Sequence, residues 1–412
     1  MRCCLYLFTL LACLSVRIVF PESISAQRDD STLVKLWNNI SLQDDYEKDF
    51  RFPGLIDSLH LVLGRCDTEK LPTVLPTGWA FTQTAGGRFA VAAGVVDFAT
   101  VPDRLVFFVR DLGEHPADYI FYSYITGFTG GAAPLALKLD EFDIDGLSFA
   151  SVTAVSGTTT LSVLPDIATR LLIGRLVAAE TDGDKVGLSE RLWERISRLL
   201  AYKPLFNDPF GGFSNISGLL SPDNVLKVVT WNVEFEDGTN TFFGGIAVNR
   251  ENAIKVHRLS DRYKAIKTPQ VMSLNASRWY GAVYYEILVN KHKKNTYYTL
   301  LGYNPNDYFS KIRVVETLTL GTNGAPRFGE PIIEVEGKML KRLIFEYSAK
   351  VSMMLRYDTN QGMIVMDNLA PVNSLFAGDP RHYGPDFTHN ALKFEKGRWV
   401  FHSDVILTNP AP

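Results

Sequence analysis

From Trp79 onwards, apolar residues recur with a period of two in short runs separated by turn residues, a pattern that predicts strands rather than helices. Trp79 to Thr84, the Gly86-Gly87 turn and Arg88 to Phe98 read as a hairpin. Leu105 to Val109 and Tyr119 to Ile125 read as further strands, and 126–134 as a Gly/Ala-rich loop. Leu147 to Val155 and Thr158 to Leu164 form another hairpin around Ser156-Gly157. The second half continues with Val225 to Phe235, Thr241 to Val248, Ala253 to Leu259, Ile312 to Leu320, Ile332 to Val335, Arg342 to Tyr357, Met363 to Leu369, Leu392 to Phe394 and Trp399 to Leu407. The centre of this series is Trp279 to Tyr303. There, Val283 to Val289 and Thr296 to Tyr303 flank a charged turn over 290–295. Side chains alternate faces along a strand, so Tyr284/Tyr285 and Tyr297/Tyr298 place an aromatic on each face. Such a sheet must be covered on both sides.

A helical period appears in three places. Ser31 can cap a short helix carrying Leu33, Leu36, Trp37 and Ile40, broken at Phe50 to Pro53, and a second apolar segment runs through Leu63. Leu188, Leu192, Trp193, Ile196 and Leu199 mark an amphipathic helix with Ser189 as its cap. The Pro/Gly/Asn/Ser-rich stretch 203–224 then reads as a linker between a β-rich N-terminal part with a few short helices (28–202) and a C-terminal antiparallel sandwich or barrel-like domain (225–412). Leu36-Trp37-x-x-Ile40-Ser41 recurs as Leu192-Trp193-x-x-Ile196-Ser197. At the same offset Tyr46, Phe50 and Pro53 match Tyr202, Phe206 and Pro209, which suggests a diverged internal repeat.

The start of the chain changes the picture of compartment. Arg2, an apolar run over Leu5 to Leu14 too short to span a bilayer, and Ile24-Ser25-Ala26 read as a signal peptide over 1–26. Leu10-Leu11-Ala12-Cys13 offers the alternative of a lipobox with an acylated Cys13. Both predict export, to the periplasm or cell surface. Of four cysteines only Cys66 lies beyond the leader, so neither an internal disulfide nor a thiolate-pair metal site is expected. A net charge of −3 gives no case for nucleic acid, and no later segment is long and apolar enough to be a transmembrane helix.

Several short motifs carry a resemblance. They are Thr230-Trp231-Asn232, Glu236-Asp237-Gly238-Thr239, Trp279-Tyr280-Gly281, Tyr297-Tyr298-Thr299-Leu300-Leu301-Gly302, Phe345-Glu346-Tyr347-Ser348-Ala349, Arg356-Tyr357-Asp358 and His382-Tyr383-Gly384-Pro385-Asp386. Over about residues 200–407 the chain resembles an uncharacterised family of exported Bacteroidetes proteins. The resemblance implies a cell-envelope setting and no reaction.

Candidate chemistry is sparse. Gly212-Phe213-Ser214 begins a nucleophile-elbow motif, but Ile216 stands where its second glycine belongs. Glu180, Asp182, Asp184 and Glu190 resemble a calcium loop lacking the glycine of its sharp turn; the competing reading is a polar turn whose acids favour a helix N-terminus. Glu141, Asp143 and Asp145 start the same pattern, but Val152 replaces the closing glutamate. His382, Asp386 and His389 form the one clustered imidazole/carboxylate set, placed in a loop, where they would hold zinc with Glu395 as a base. Tyr284, Tyr297 and Trp399, if exposed, would stack on sugar rings or grip a peptide; if buried, they are core. The leading expectation is a non-enzymatic envelope module with no cofactor that binds a glycan or an envelope protein. The alternative is a metal-assisted hydrolase built on the His382 set.

Overall fold

The computed structural model describes residues 31–41, 43–63, 75–100, 103–113, 119–125, 134–208, 210, 213, 215–250 and 253–406. The leader, all four cysteines, Gly212 and Ser214 lie outside them. The fold is mainly β, in antiparallel sheets with a few short helices, and no barrel closes among the described residues. The chain divides into two compact units, Met1–Ala178 with Phe210–Ser214, and Ala179–Pro209 with Asn215–Pro412.

The first unit opens with helices α1 (Ser31–Ser41) and α2 (Asp45–Leu63). The expected break at Pro53 is absent. The helical path breaks at Gln43 and Asp44 instead, where Asp44 Oδ1 accepts from Glu47 N at 2.9 Å, and α2 runs through the proline. A proline inside a helix costs about 3 kcal/mol. Here Phe52, Leu55, Leu59 and Leu63 offset it by burying one stripe with Trp37 and Ile40 of α1. They pack on Ala90, Ala92, Val96, Val106 and Phe108 of a four-stranded meander. Its strands are β1 (Ala80–Gln83), β2 (Phe89–Val96), β3 (Arg104–Asp111) and β4 (Tyr119–Ile125). A second meander follows, β5 (Leu135–Ile144), β6 (Leu147–Ser156) and β7 (Thr159–Leu164), with β5 lying against β1. Helix α3 (Ile167–Ala178) completes the unit. The buried Asp166 caps it, accepting from Thr169 N at 2.7 Å, and also accepts from Ala150 N of β6 at 3.0 Å.

The second unit opens with α4 (Asp182–Ala201), which the sequence pattern starts too late. Thr181, not Ser189, is the cap; its Oγ1 accepts from Asp184 N at 3.1 Å, while Ser189 is buried mid-helix and receives Trp231 Nε1. Helix α4 groups with this unit, and the described residues of the expected linker include regular elements. These are a 3-10 turn at Lys203–Leu205 and strand β8 (Ser217–Leu220). With β9 (Leu226–Glu234), β10 (Asn240–Arg250) and β11 (Ala253–Arg258), β8 forms a meander covered on one face by α4.

One constant shift, Ala80 to Ser217, superposes the two four-strand meanders in register. Ala80↔Ala93 becomes Ser217↔Thr230, Phe89↔Asp111 becomes Leu226↔Val248, and Phe108↔Phe121 becomes Gly245↔Arg258. The first turn is the same to the hydrogen bond. Thr84 Oγ1 accepts from Phe89 N at 3.0 Å and Ser221 Oγ from Leu226 N at 2.8 Å; Gly87 N and Asn224 N each return to the backbone carbonyl of that hydroxyl residue at 2.8 Å. Gly87 and Asn224 both have positive φ, as the turn requires.

The likeness continues into the next meander. Strands β13 (Val283–His292), β14 (Asn295–Asn304) and β15 (Ser310–Leu320) match β5 to β7, Lys138↔Thr153 becoming Glu286↔Leu301, and β13 lies against β8 as β5 does against β1. Beyond that the units part. In the second, β12 (Leu274–Asn275), β16 (Pro326–Phe328) and β19 (Arg342–Ser348) extend the sheet of β13 to β15. A further sheet has the order β18-β17-β23-β22-β21-β20, with β17 (Ile333–Val335), β18 (Lys338–Leu340), β20 (Leu355–Asp358), β21 (Met363–Pro371), β22 (Tyr383–Glu395) and β23 (Arg398–His402). The single strand expected over Arg342 to Tyr357 is therefore two strands in different sheets. Tyr284 and Tyr298 enter one core with Phe242 and Trp279, while Tyr297 and Leu301 enter another with Ile364 and Trp399. The central sheet is covered on both faces, as its doubled tyrosines require.

Candidate functional site

The structure gives His382, Asp386 and His389 separate partners. These residues belong to a short 3-10 turn (Pro380–His382) and to β22, not to a loop that folds back on itself. His382 stacks on Phe376 with ring centroids 4.0 Å apart, and its Nε2 lies 3.8 Å from Asp379. His389 Nε2 faces Asp367 Oδ1 at 3.4 Å. Asp386 spends both oxygens locally: Oδ1 accepts from Thr388 N at 2.9 Å and Oδ2 from Asn368 Nδ2 at 2.8 Å. Those hydrogen bonds, the Thr388 N–H first, hold its carboxyl below the usual carboxylate range. No group of three or more His, Cys, Asp or Glu among the described residues is arranged to hold a metal ion.

The calcium reading fails for a different reason. Asp182, Asp184 and Glu190 lie on α4, where the rise of the helix spreads them apart. Asp182 accepts from Glu236 N at 3.0 Å, Asp184 from the Thr181 hydroxyl at 2.7 Å, and Glu190 pairs with Arg258. Glu180 precedes the cap. In the other acidic run Glu141 and Asp143 sit on β5, and Asp145-Gly146 is the two-residue turn of the β5–β6 hairpin, with Asp143 Oδ1 accepting from Gly146 N at 2.9 Å.

The aromatic reading fails on burial. Tyr284, Tyr297 and Trp399 are 0%, 9% and 1% exposed. Trp279 Nε1 donates to Tyr284 Oη at 2.9 Å and Trp399 Nε1 to Thr299 Oγ1 at 2.9 Å, so their polar tips are satisfied inside the core. Two shallow grooves of this unit, one lined by Ser273, Arg327 and Glu330 and one by Phe242, Arg258 and Asp261, take in none of these residues.

The apolar side chains left in water lie elsewhere. Strand β20 pairs with β21 only from Met363 to Met366, and β23 pairs with β22 only from Ala391 to Glu395. Beyond those limits 367–371 and 383–389 pair with each other and form a two-stranded arm, with β19 packed against β22 and against the turn Pro380–His382 at the arm's end. Two 3-10 turns build its tip, Ser374–Phe376 capped by Asn373 and Pro380–His382 capped by Asp379. Asp379 is also gripped by the Arg381 guanidinium, whose hydrogen bonds draw its pKa down to about 2. This well-fixed tip presents Val372 at 76% and Leu375 at 86% exposure, beside Phe376.

Phe387 is the most telling residue. It is 93% exposed with φ +70°, at a bulge where Asn368 alone faces the stretch between Pro385 and His389. A left-handed backbone is unfavourable for a bulky side chain by about 1–2 kcal/mol. Asp386, read from sequence as a metal ligand, holds this bulge open and turns Phe387 outward. Nothing in the alternation of β22 announces the bulge. The available signal was apolar Val372, Leu375 and Phe376 inside a stretch otherwise made of Asn, Ser, Ala, Gly, Asp and Pro. Compared with known proteins, the sequence matches no protein-family model and no curated protein at a significant level.

Proposed function

We propose that this is a non-enzymatic binding protein of the bacterial cell envelope, exported by its N-terminal leader, that engages a partner protein through the arm of its second unit. One observation carries the reading: four apolar side chains are held in water on a hydrogen-bonded arm, one of them in a backbone conformation that folding alone would avoid. Asp367, Asp379 and Asp386 lie along the arm, Asp379 paired with Arg381, Asp367 facing His389 and Asp386 bonded to Asn368. A carboxylate rim is unfavourable against an anionic lipid surface and suits a protein with an apolar pocket and a basic border.

The test is a photo-crosslinker placed at Leu375 in the exporting cell. One discrete protein adduct is expected, lost on Phe387→Asp. Adducts to lipid alone, or the same adduct from a crosslinker at Lys311, would remove the arm from the reading.

A further inference from the structure

The far end of β22 carries an opposite kind of surface. The β13–β14 hairpin closes at His292↔Asn295 through Lys293-Lys294, and the β22–β23 hairpin closes at Glu395↔Arg398 through Lys396-Gly397. Folding presses these two turns together. A Cβ on Gly397, which has φ +88°, would lie 2.7 Å from the His292 ring, so only glycine admits the approach.

Four exposed lysines result, Lys291, Lys293, Lys294 and Lys396, drawn from turns a hundred positions apart. None of them joins an ion pair among the described residues. The neighbouring carboxylates are already engaged, Glu395 by Lys393 at 3.5 Å and Glu334 by Arg398 at 3.0 Å. In a chain of net charge −3 this is a concentrated positive field with no internal counter-charge.

We infer that the joined tips of the β13–β14 and β22–β23 hairpins bind an anionic glycan, their lysines neutralising its sulfate, phosphate or carboxylate groups. What surrounds the lysines selects this partner. No large hydrophobic side chain is exposed in either turn, which removes the anchor a bilayer would take. No exposed aromatic stands there to stack bases, the neighbouring Tyr297 being 9% exposed. Ammonium groups on two rigid turns suffice for a polymer with spaced charges. The surface is separate from the arm, so failure of either leaves the other standing.

The test uses the full chain and a fluorescent heparin octasaccharide as the probe at low salt, with phosphatidylglycerol vesicles and a single-stranded oligonucleotide as competitors. Binding is expected to weaken with salt, log K falling by about 0.7–0.9 per neutralised charge for each unit of log salt. Lys293→Glu with Lys294→Glu, and Lys396→Glu alone, should each weaken binding at least fivefold, and the triple variant should abolish it. The thermal midpoint should not move, because all three side chains are in water. Equal loss from Lys311→Glu, no binding by the unaltered chain, undiminished binding by the triple variant, or preference for vesicles or oligonucleotide would each overturn the inference.

Discussion

The first meander of each unit has the same strand order, the same register and the same hydroxyl-capped turn, yet the two share few side chains. On the face turned to the helices, Gly94 and Phe108 of the first unit stand where the second has Trp231 and Gly245. The Trp79 ring fills the space over Gly94, Trp193 of α4 fills that over Gly245, and Trp231 stacks on Phe243 at 5.7 Å. Large and small have exchanged places at these two positions. A packed face fixes total volume far more tightly than residue identity. Only the helical half of the Leu-Trp-x-x-Ile-Ser echo has a structural counterpart: both copies lie on helices, but Tyr46, Phe50 and Pro53 are inside α2 whereas Tyr202 and Phe206 flank a 3-10 turn.

The comparison breaks most sharply at the edge of the second meander. Strand β7 ends its sheet, whereas β15 pairs onward with β19 across Glu316 and Arg342, both 0% exposed. Arg342 also donates to Pro269 O. Glu316→Ala leaves a buried guanidinium unpaired and should cost about 3–5 kcal/mol. Denaturant unfolding measures the loss, and amide exchange should place it in β15 and β19. A loss below 1 kcal/mol would mean the extension is dispensable and the units differ less than they look.

A second difference is electrostatic. Ala90 of the first unit corresponds to Lys227, wholly buried, whose Nζ donates to Leu205 O at 3.0 Å and to Asp208 O. Burial lowers its pKa to about 7, against an ordinary value of 10.5, despite the nearby Asp208. Between those values the unfolded chain holds a proton that the folded chain has lost. Stability from this group therefore rises with pH from about 7 to 10.5, by at most about 1.4 kcal/mol per unit, and is lower below 7, where the folded state must carry a buried charge. A denaturation series from pH 6 to 10 should show the rise, and Lys227→Met should flatten it. A slope that survives the substitution assigns it to another group.

Smaller effects sharpen the likeness. Thr84→Ala and Ser221→Ala each strand a buried N–H at the same turn, and each should cost about 1–2 kcal/mol by thermal unfolding. A marked inequality would show that the matching hydrogen bonds do not do matching work. Smallest of all, Phe387→Gly should leave the stability unchanged or raise it by up to about 1 kcal/mol, as the left-handed strain is relieved. A clear loss of stability would mean that Phe387 serves the fold rather than a partner.

The architecture was legible in the sequence because strand alternation and turn residues are local signals. The doubled tyrosines even required a sheet covered on both faces. The errors came where long-range packing overrules local preference. Pro53 stays helical because four apolar residues around it must face the same core, and within the Pro/Gly-rich stretch 203–224 Lys227 holds Leu205 while 217–220 pair with β9. The site was harder to read. His382, Asp386 and His389 look like ligands in a string of letters, but a bulge and a stacked ring send them to separate partners. Gly397 gave no hint of its place against His292, since that neighbourhood exists only after the two hairpins dock.

Strand β22 is thirteen residues long, about 40 Å when extended, with the arm at one end and the lysine turns at the other. Over Ala391 to Lys393 it is hydrogen-bonded to β21 on one side and β23 on the other. One extended run of backbone thus joins the two surfaces, and a slip of its register by one residue would turn the side chains of both to the opposite face.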